Sequence, residues 1–124
     1  MADIPTQIAG SLDHRRSDKK HEIVHEVRLT PSSLLAKITG KQKMGVNSTH
    51  HQAIGQVAEP LQVAAVSPDG VVESLELKPG GARWMPMLLS VQFHPERLMD
   101  RYLEHAKIFR AFTQACALSS KHSL

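Results

Sequence analysis

The segment LQVAAVSPDGVVESLEL, residues 61–77, constrains the fold of this chain more than any other. Two β-branched runs meet at Pro68-Asp69-Gly70, where proline presets φ and glycine accepts the positive φ of a tight reversal. The pattern predicts an antiparallel hairpin. A second strand is expected in HEIVHEVRL (21–29), which alternates around Ile23, Val27 and Leu29, and a brief third in KMGVNS (43–48), running into a polar, histidine-bearing turn. MLLSVQF (87–93) is a continuous apolar run of the kind buried on both sides of a sheet.

Two helices complete the pattern. TPSSLLAKITG offers Thr30 or Ser32 as cap, Pro31 early, Leu34, Leu35 and Ile38 on one face, and Gly40 as the stop. From Pro95 onward, Leu98, Tyr102, Ile108 or Phe109, Phe112 and Cys116 recur near helical spacing, which predicts a closing amphipathic helix. Residues 1–20 show neither period and read as loop, residues 78–84 as loop by their proline and glycines, and residues 119–124 as a frayed tail. Strand, helix, strands, helix gives an α/β class. At 124 residues and 41% hydrophobic composition, one domain is expected.

The formal charge of +3 and pI near 9.2 raise nucleic acid as a partner. The cations gather in HRRSDKKH (14–21), interleaved with Asp18 and followed by Glu22 and Glu26, and this reads as a solvated surface loop. Aromatics at 4% leave no base-stacking platform, so no nucleic-acid partner is expected. No apolar run reaches the length of a membrane helix, so no membrane partner is expected either. A single cysteine and the absence of an opening signal-peptide pattern make a reducing, cytoplasmic setting the expectation.

His94 and Glu96, in VQFHPE, would point the same way as a strand ends at Pro95. A carboxylate on one ring nitrogen fixes the tautomer and leaves the other nitrogen to take a proton from a nucleophile. Read structurally, His94 caps the strand and Glu96 favours the start of the last helix. VNSTHHQAI (46–54) groups Ser48, Thr49, His50, His51 and Gln52, donors suited to the carboxylate or amino group of a small polar ligand. His50, His51, His94 and Glu96 could hold zinc if folded together, but side chains of adjacent histidines diverge, and no metal is expected.

HEVRL, SSLLAKITG, VNSTHHQAI, SPDGVVESLEL and VQFHPE, in this order, closely resemble the C-terminal half of the class I glutamine amidotransferase-like γ-glutamyl hydrolases. Within that group the chain looks most like the γ-glutamyl-γ-aminobutyrate hydrolase branch, peptidase family C26, over roughly residues 3 to 118. The resemblance implies a partial flavodoxin-like sheet with a β-hairpin and a C-terminal helix. It implies a Cys-His-Glu triad whose last two members match His94 and Glu96. It further implies a γ-glutamyl pocket bordered by Ser48, His50, His51 and Gln52, with a γ-glutamyl amide as ligand and no metal or organic cofactor. In such enzymes a cysteine on a strand-to-helix elbow attacks the γ-amide carbonyl and passes through a thioester.

The chain departs from that pattern at the nucleophile. The family's Gly-x-Cys-x-Gly elbow lies upstream of a stretch resembling DIPTQ (3–7), so residues 1–124 are expected to be a C-terminal portion lacking the elbow half. Cys116 has no flanking glycines, shares a helix face with Phe109 and Phe112, and reads as a buried core thiol. The loop residue Trp84 reads as a packing or rim residue. Alone, the chain is expected to be catalytically silent. The alternative is a non-catalytic module that binds γ-glutamyl ligands. An exposed sheet edge further leads one to expect poor solubility, a homo-oligomer, or association with an N-terminal half.

Overall fold

The hairpin is the centre of the sheet. In the computed structural model, which describes residues 1–80 and 85–122, Gly70 takes φ 87° and closes the turn between β5 (Leu61–Val66) and β6 (Val72–Leu77). Around it stand β2 (His25–Leu29), β3 (Lys43–Val46) and β7 (Leu89–Val91), in the order β3-β2-β5-β6-β7. Every pairing is antiparallel. The helices are α1 (Ile4–Gln7), α2 (Leu34–Thr39) and α3 (Leu103–His122). A separate ribbon joins β1 (Ala2–Asp3) to β4 (Gln52–Ala53). The α/β class, the hairpin and the C-terminal helix are therefore present, with an antiparallel sheet among the described residues.

Leu35 on α2 and Ile108 on α3 bury against Val27, Leu29, Met44, Val46, Ala64 and Phe93. Ser33 caps α2 by accepting a hydrogen bond from the Ala36 amide at 3.0 Å, one residue beyond the expected caps, and Gly40 ends the helix at φ 69°. A strand residue completes this helix start. Glu76 is buried in β6, accepts the Leu34 amide at 2.8 and 3.0 Å and the Leu35 amide at 3.3 Å, and takes a further bond from Gln62 at 2.9 Å. Amides left unpaired at a helix start are thus satisfied by a carboxylate that burial would otherwise penalise.

Several expectations from the sequence are corrected. Residues 1–20 are not simply loop: Pro5 opens α1, and Ile4 inserts beside Ala53 and Val71 while its amide donates to the His51 carbonyl at 2.8 Å. HRRSDKKH is not wholly solvated, because His14 is buried, although its neighbours face water. The first large strand starts only at His25. In the apolar run 87–93, only Leu89–Val91 forms a strand, at the edge of the sheet and with Ser90 exposed. Leu98 is buried in the approach to α3, whose far half lies outside the core. Phe112 and Cys116 are exposed, so the thiol is not a core residue. The supposed tail is helical through His122; residues 81–84, with Trp84, and 123–124 lie outside the described residues.

His105, on the inner side of α3, is fully buried, donates to the Gly45 carbonyl at 2.8 Å and meets the Phe93 ring edge-on. Burial pushes its pKa below the ordinary 6.5, and the bond to Gly45 offsets only part of that. The unfolded chain therefore binds the proton first, and the contribution of His105 is complete above pH 6.5 and lost as the pH falls below it. Denaturant titrations from neutral pH to pH about 5 should show a shallower acid loss in His105→Gln than in the wild type. Glu76→Gln should lower stability by about 2 kcal/mol at neutral pH in the same assay. Parallel acid limbs, or an unchanged midpoint for Glu76→Gln, would contradict these assignments.

Candidate functional site

After β7 the chain turns sharply. His94, with φ −112° and ψ 85°, caps the 3-10 turn Pro95–Arg97, so the spacing that brings His94 and Glu96 together belongs to this turn and not to a strand. His94 Nδ1 lies 2.7 Å from Glu96 Oε1. Burial works against ionisation of Glu96, but its own backbone amide and the His94 ring outweigh it, and the carboxyl is held below its ordinary pKa. An ionised carboxylate only accepts, so Nδ1 carries the hydrogen and Nε2 keeps its lone pair. Both side chains are partly exposed, and no hydrogen bond among the described residues engages His94 Nε2.

Asn47, fully buried, fixes this turn in place. Its amide nitrogen donates to the carbonyls of His94 at 3.0 Å and Lys20 at 2.8 Å, and its oxygen accepts the His94 amide at 2.8 Å. The side chain therefore ties the turn after β3 to the His94 turn and to the loop before β2. Its position in VNSTHHQAI marked the turn without revealing this role.

The remaining predicted residues separate. Ser48 is buried, with its hydroxyl 3.2 Å from His14 Nδ1. His50 turns inward, placing Nε2 3.3 Å from Glu73 Oε1. His51 and Gln52 are exposed, with His51 Nδ1 3.5 Å from Asp3 Oδ1. Two hollows flank this turn. One of about 330 Å³ lies among Ile4, Ser11, Asp13, His14, His50 and His51, and one of about 270 Å³ among Met1, Thr49, His51, Gln52, Ile54 and Gln92. The zinc set considered from the sequence, His50, His51, His94 and Glu96, is not assembled, since His50 faces Glu73, His51 faces Asp3, and His94 and Glu96 face each other.

A different cluster forms inside. The segment around His14 runs beside the His50 turn: Arg16 donates to the Ser48 carbonyl at 2.8 Å and His50 to the His14 carbonyl at 2.9 Å. His14 Nδ1, His50 Nε2 and His25 Nε2 lie 3.2, 3.3 and 3.8 Å from the same oxygen of Glu73. His14 Nε2 meets Asp69 Oδ2 at 2.7 Å, and that oxygen also accepts the Leu12 amide at 2.8 Å. Asp69 is thus more than a turn former. Burial opposes its ionisation, yet the Ser67 hydroxyl and His14 hold its carboxyl well below the usual carboxylate range. Burial likewise opposes charge on Glu73 and on His14, and in both cases their mutual contact prevails, lowering the Glu73 pKa and raising that of His14. His14, His25, Asp69 and Glu73 were not identified from the sequence. The available signal was an acidic residue inside the apolar run VVESLEL.

The sheet, the hairpin and the C-terminal helix fit a partial glutamine amidotransferase-like α/β fold, and the comparisons agree. The peptidase C26 family model matches residues 1–96. A Schizosaccharomyces pombe protein named "putative glutamine amidotransferase" is 33% identical over 110 residues, covering 89% of this chain and 41% of its own length. The γ-glutamyl-γ-aminobutyrate hydrolase PuuD of Escherichia coli K12 is 32% identical over 111 residues, covering 85% of this chain and 42% of its own. Protein NtpR of Enterococcus hirae is 36% identical over 113 residues, 90% of this chain and 45% of its own. The chain belongs to the peptidase C26 family. It spans less than half the length of these curated relatives.

Asn47→Ala should untie the two turns and leave the Lys20 and His94 groups short of partners, lowering stability by roughly 2–3 kcal/mol. Thermal melting of the purified variant checks this. A melting temperature equal to that of the wild type would show that the clamp contributes nothing.

Proposed function

We propose that this chain supplies the histidine and the carboxylate of a Cys-His-Glu triad that hydrolyses γ-glutamyl amide bonds, with the thiol contributed by a segment other than these 124 residues. The observation that carries the reading is the 2.7 Å contact between His94 Nδ1 and Glu96 Oε1, which leaves Nε2 as a free proton acceptor on an accessible turn. In the forward step Nε2 takes the thiol proton as sulfur attacks the γ-carbonyl carbon. The imidazolium, stabilised by Glu96, then returns that proton to the departing amine nitrogen. Water, deprotonated by the same nitrogen, cleaves the resulting thioester and releases glutamate. The name of the E. coli relative supports a γ-glutamyl amine as the substrate class. His51 and Gln52, exposed beside the 270 Å³ hollow, are the residues of the turn best placed to meet the glutamyl group.

Cys116 is not the nucleophile in this reading. It is exposed on α3, and no hydrogen bond among the described residues joins it to His94. The isolated chain should show no hydrolysis of γ-glutamyl amines. When it is combined with a segment bearing a Gly-x-Cys-x-Gly elbow, turnover should appear, and His94→Ala should lower kcat by about 10² or more. Turnover by the isolated chain that disappears in Cys116→Ser would overturn the proposal. Calorimetric binding of a γ-glutamyl amine, with no hydrolysis even after the elbow segment is added, would favour a binding module instead.

A further inference from the structure

The interior cluster does not belong to the triad, and its hydrogen-bond pattern leaves His25 Nε2, His50 Nε2 and both Glu73 oxygens buried without a hydrogen-bond partner. Each of the three histidines spends one ring nitrogen on an acceptor. His25 Nδ1 lies 3.0 Å from the Glu26 carbonyl, His50 Nδ1 lies 3.1 Å from the Gln52 carbonyl, and His14 Nε2 lies 2.7 Å from Asp69. Carbonyl and carboxylate oxygens only accept, so these nitrogens carry the hydrogens. The opposite nitrogens are then lone-pair donors in the neutral rings. The Ser48 hydroxyl can serve His14 Nδ1 at 3.2 Å, but His25 Nε2 and His50 Nε2 have no donor, and all three nitrogens converge on Glu73, itself a carrier of lone pairs. Like faces like in a site closed to water.

A positive centre must sit among them, either protons on the rings or a metal ion, and the geometry chooses between the two. Protonated rings would aim N–H groups at the carboxylate, yet His25 Nε2, His50 Nε2 and both Glu73 oxygens are buried without an aligned hydrogen-bond partner. The separations of 3.2 and 3.8 Å between the His14 and His25 nitrogens and Glu73 Oε1 instead suit ligands sharing one ion. Bonds of 2.0–2.1 Å to a tetrahedral zinc place neighbouring ligand atoms about 3.3 Å apart. His14, His25 and Glu73 already present ligand atoms within 4.8 Å of one another. His50 Nε2 approaches the same Glu73 oxygen at 3.3 Å but is not part of that set. Outer partners that hold ring orientation, here Asp69 for His14 and the Glu26 carbonyl for His25, are the usual support of metal-bound histidines.

We propose that His14, His25 and Glu73 bind a divalent transition-metal ion of the zinc type. Two imidazoles and one carboxylate fill three of the four positions of a tetrahedral site. Nitrogen and oxygen donors with no thiolate suit zinc or cobalt(II) and disfavour magnesium and calcium, which take oxygen alone. The ion would join the segment before β2, the start of β2 and the hairpin strand β6. Loading displaces no covalent bond and needs no oxidant.

The test uses the whole chain, produced without a histidine tag, stripped with EDTA and dialysed against zinc or cobalt(II). Expected are about one ion per chain, a visible cobalt spectrum of the tetrahedral type, and a melting temperature raised by zinc but not by magnesium. Glu73→Gln, close in shape, should abolish stoichiometric uptake, and Asp69→Asn should weaken affinity about 10- to 100-fold by releasing the His14 ring. His51→Ala should leave uptake unchanged. If Glu73→Gln fails to fold, the cobalt spectrum and zinc-dependent melting of the wild type still decide. Uptake of neither ion by the wild type, or uptake that survives Glu73→Gln and vanishes in His51→Ala, would overturn the proposal. None of these readouts depends on hydrolysis, so their failure is distinct from failure of the triad reading.

Discussion

Two carboxylates buried in one strand govern the architecture of this protein. Glu73 and Glu76 both lie within β6, shielded from water. Taking an ionised carboxylate out of water costs several kcal/mol unless partners replace its hydration. The fold answers the two demands differently. Glu76 is met by the first amides of α2 and by Gln62, which explains why a helix of only six residues docks where it does. Glu73 is met by three imidazoles from three separate segments. The route of the N-terminal residues follows from the second demand, because His14 reaches Glu73 only if residues 14–16 run beside the His50 turn.

That interior cluster and the accessible pair at His94 and Glu96 are two layers of one region. The turn after β3 connects them: Asn47 grips the backbone of His94, while Ser48 and His50, one and three residues on, face the buried histidine His14 and Glu73. Rigidity in the inner layer is thereby passed to the outer one. A base-and-orienter pair works only when its ring is held in one orientation, and a turn clamped on its backbone amide and carbonyl meets that requirement better than a free loop.

The motif VNSTHHQAI therefore carries more than a ligand-facing turn. Its residues have opposite duties, with Asn47, Ser48 and His50 supporting the interior and His51 and Gln52 reaching the surface. The hairpin apex has a similar double role. Asp69 shapes the reversal with Ser67 and at the same time receives the His14 ring and the Leu12 amide. The exposed far half of α3, with Phe112 and Leu118 facing water, completes no core of its own.

Sequence alone determined what depends on near neighbours: the reversal at Pro68-Asp69-Gly70, the helix stop at Gly40, and the contact between His94 and Glu96, two residues apart across a proline. The family likeness was legible for the same reason, since it rests on contiguous motifs. Only the tertiary structure decided which histidines meet. His14, His25, His50 and Glu73 are spread over 60 residues of chain, and each looked ordinary in its own segment. It also decided that the α3 thiol faces solvent and that the last strand is an edge. Periodicity reports which residues can be buried; which of them are buried depends on what packs against them, and that is a property of distant segments brought together.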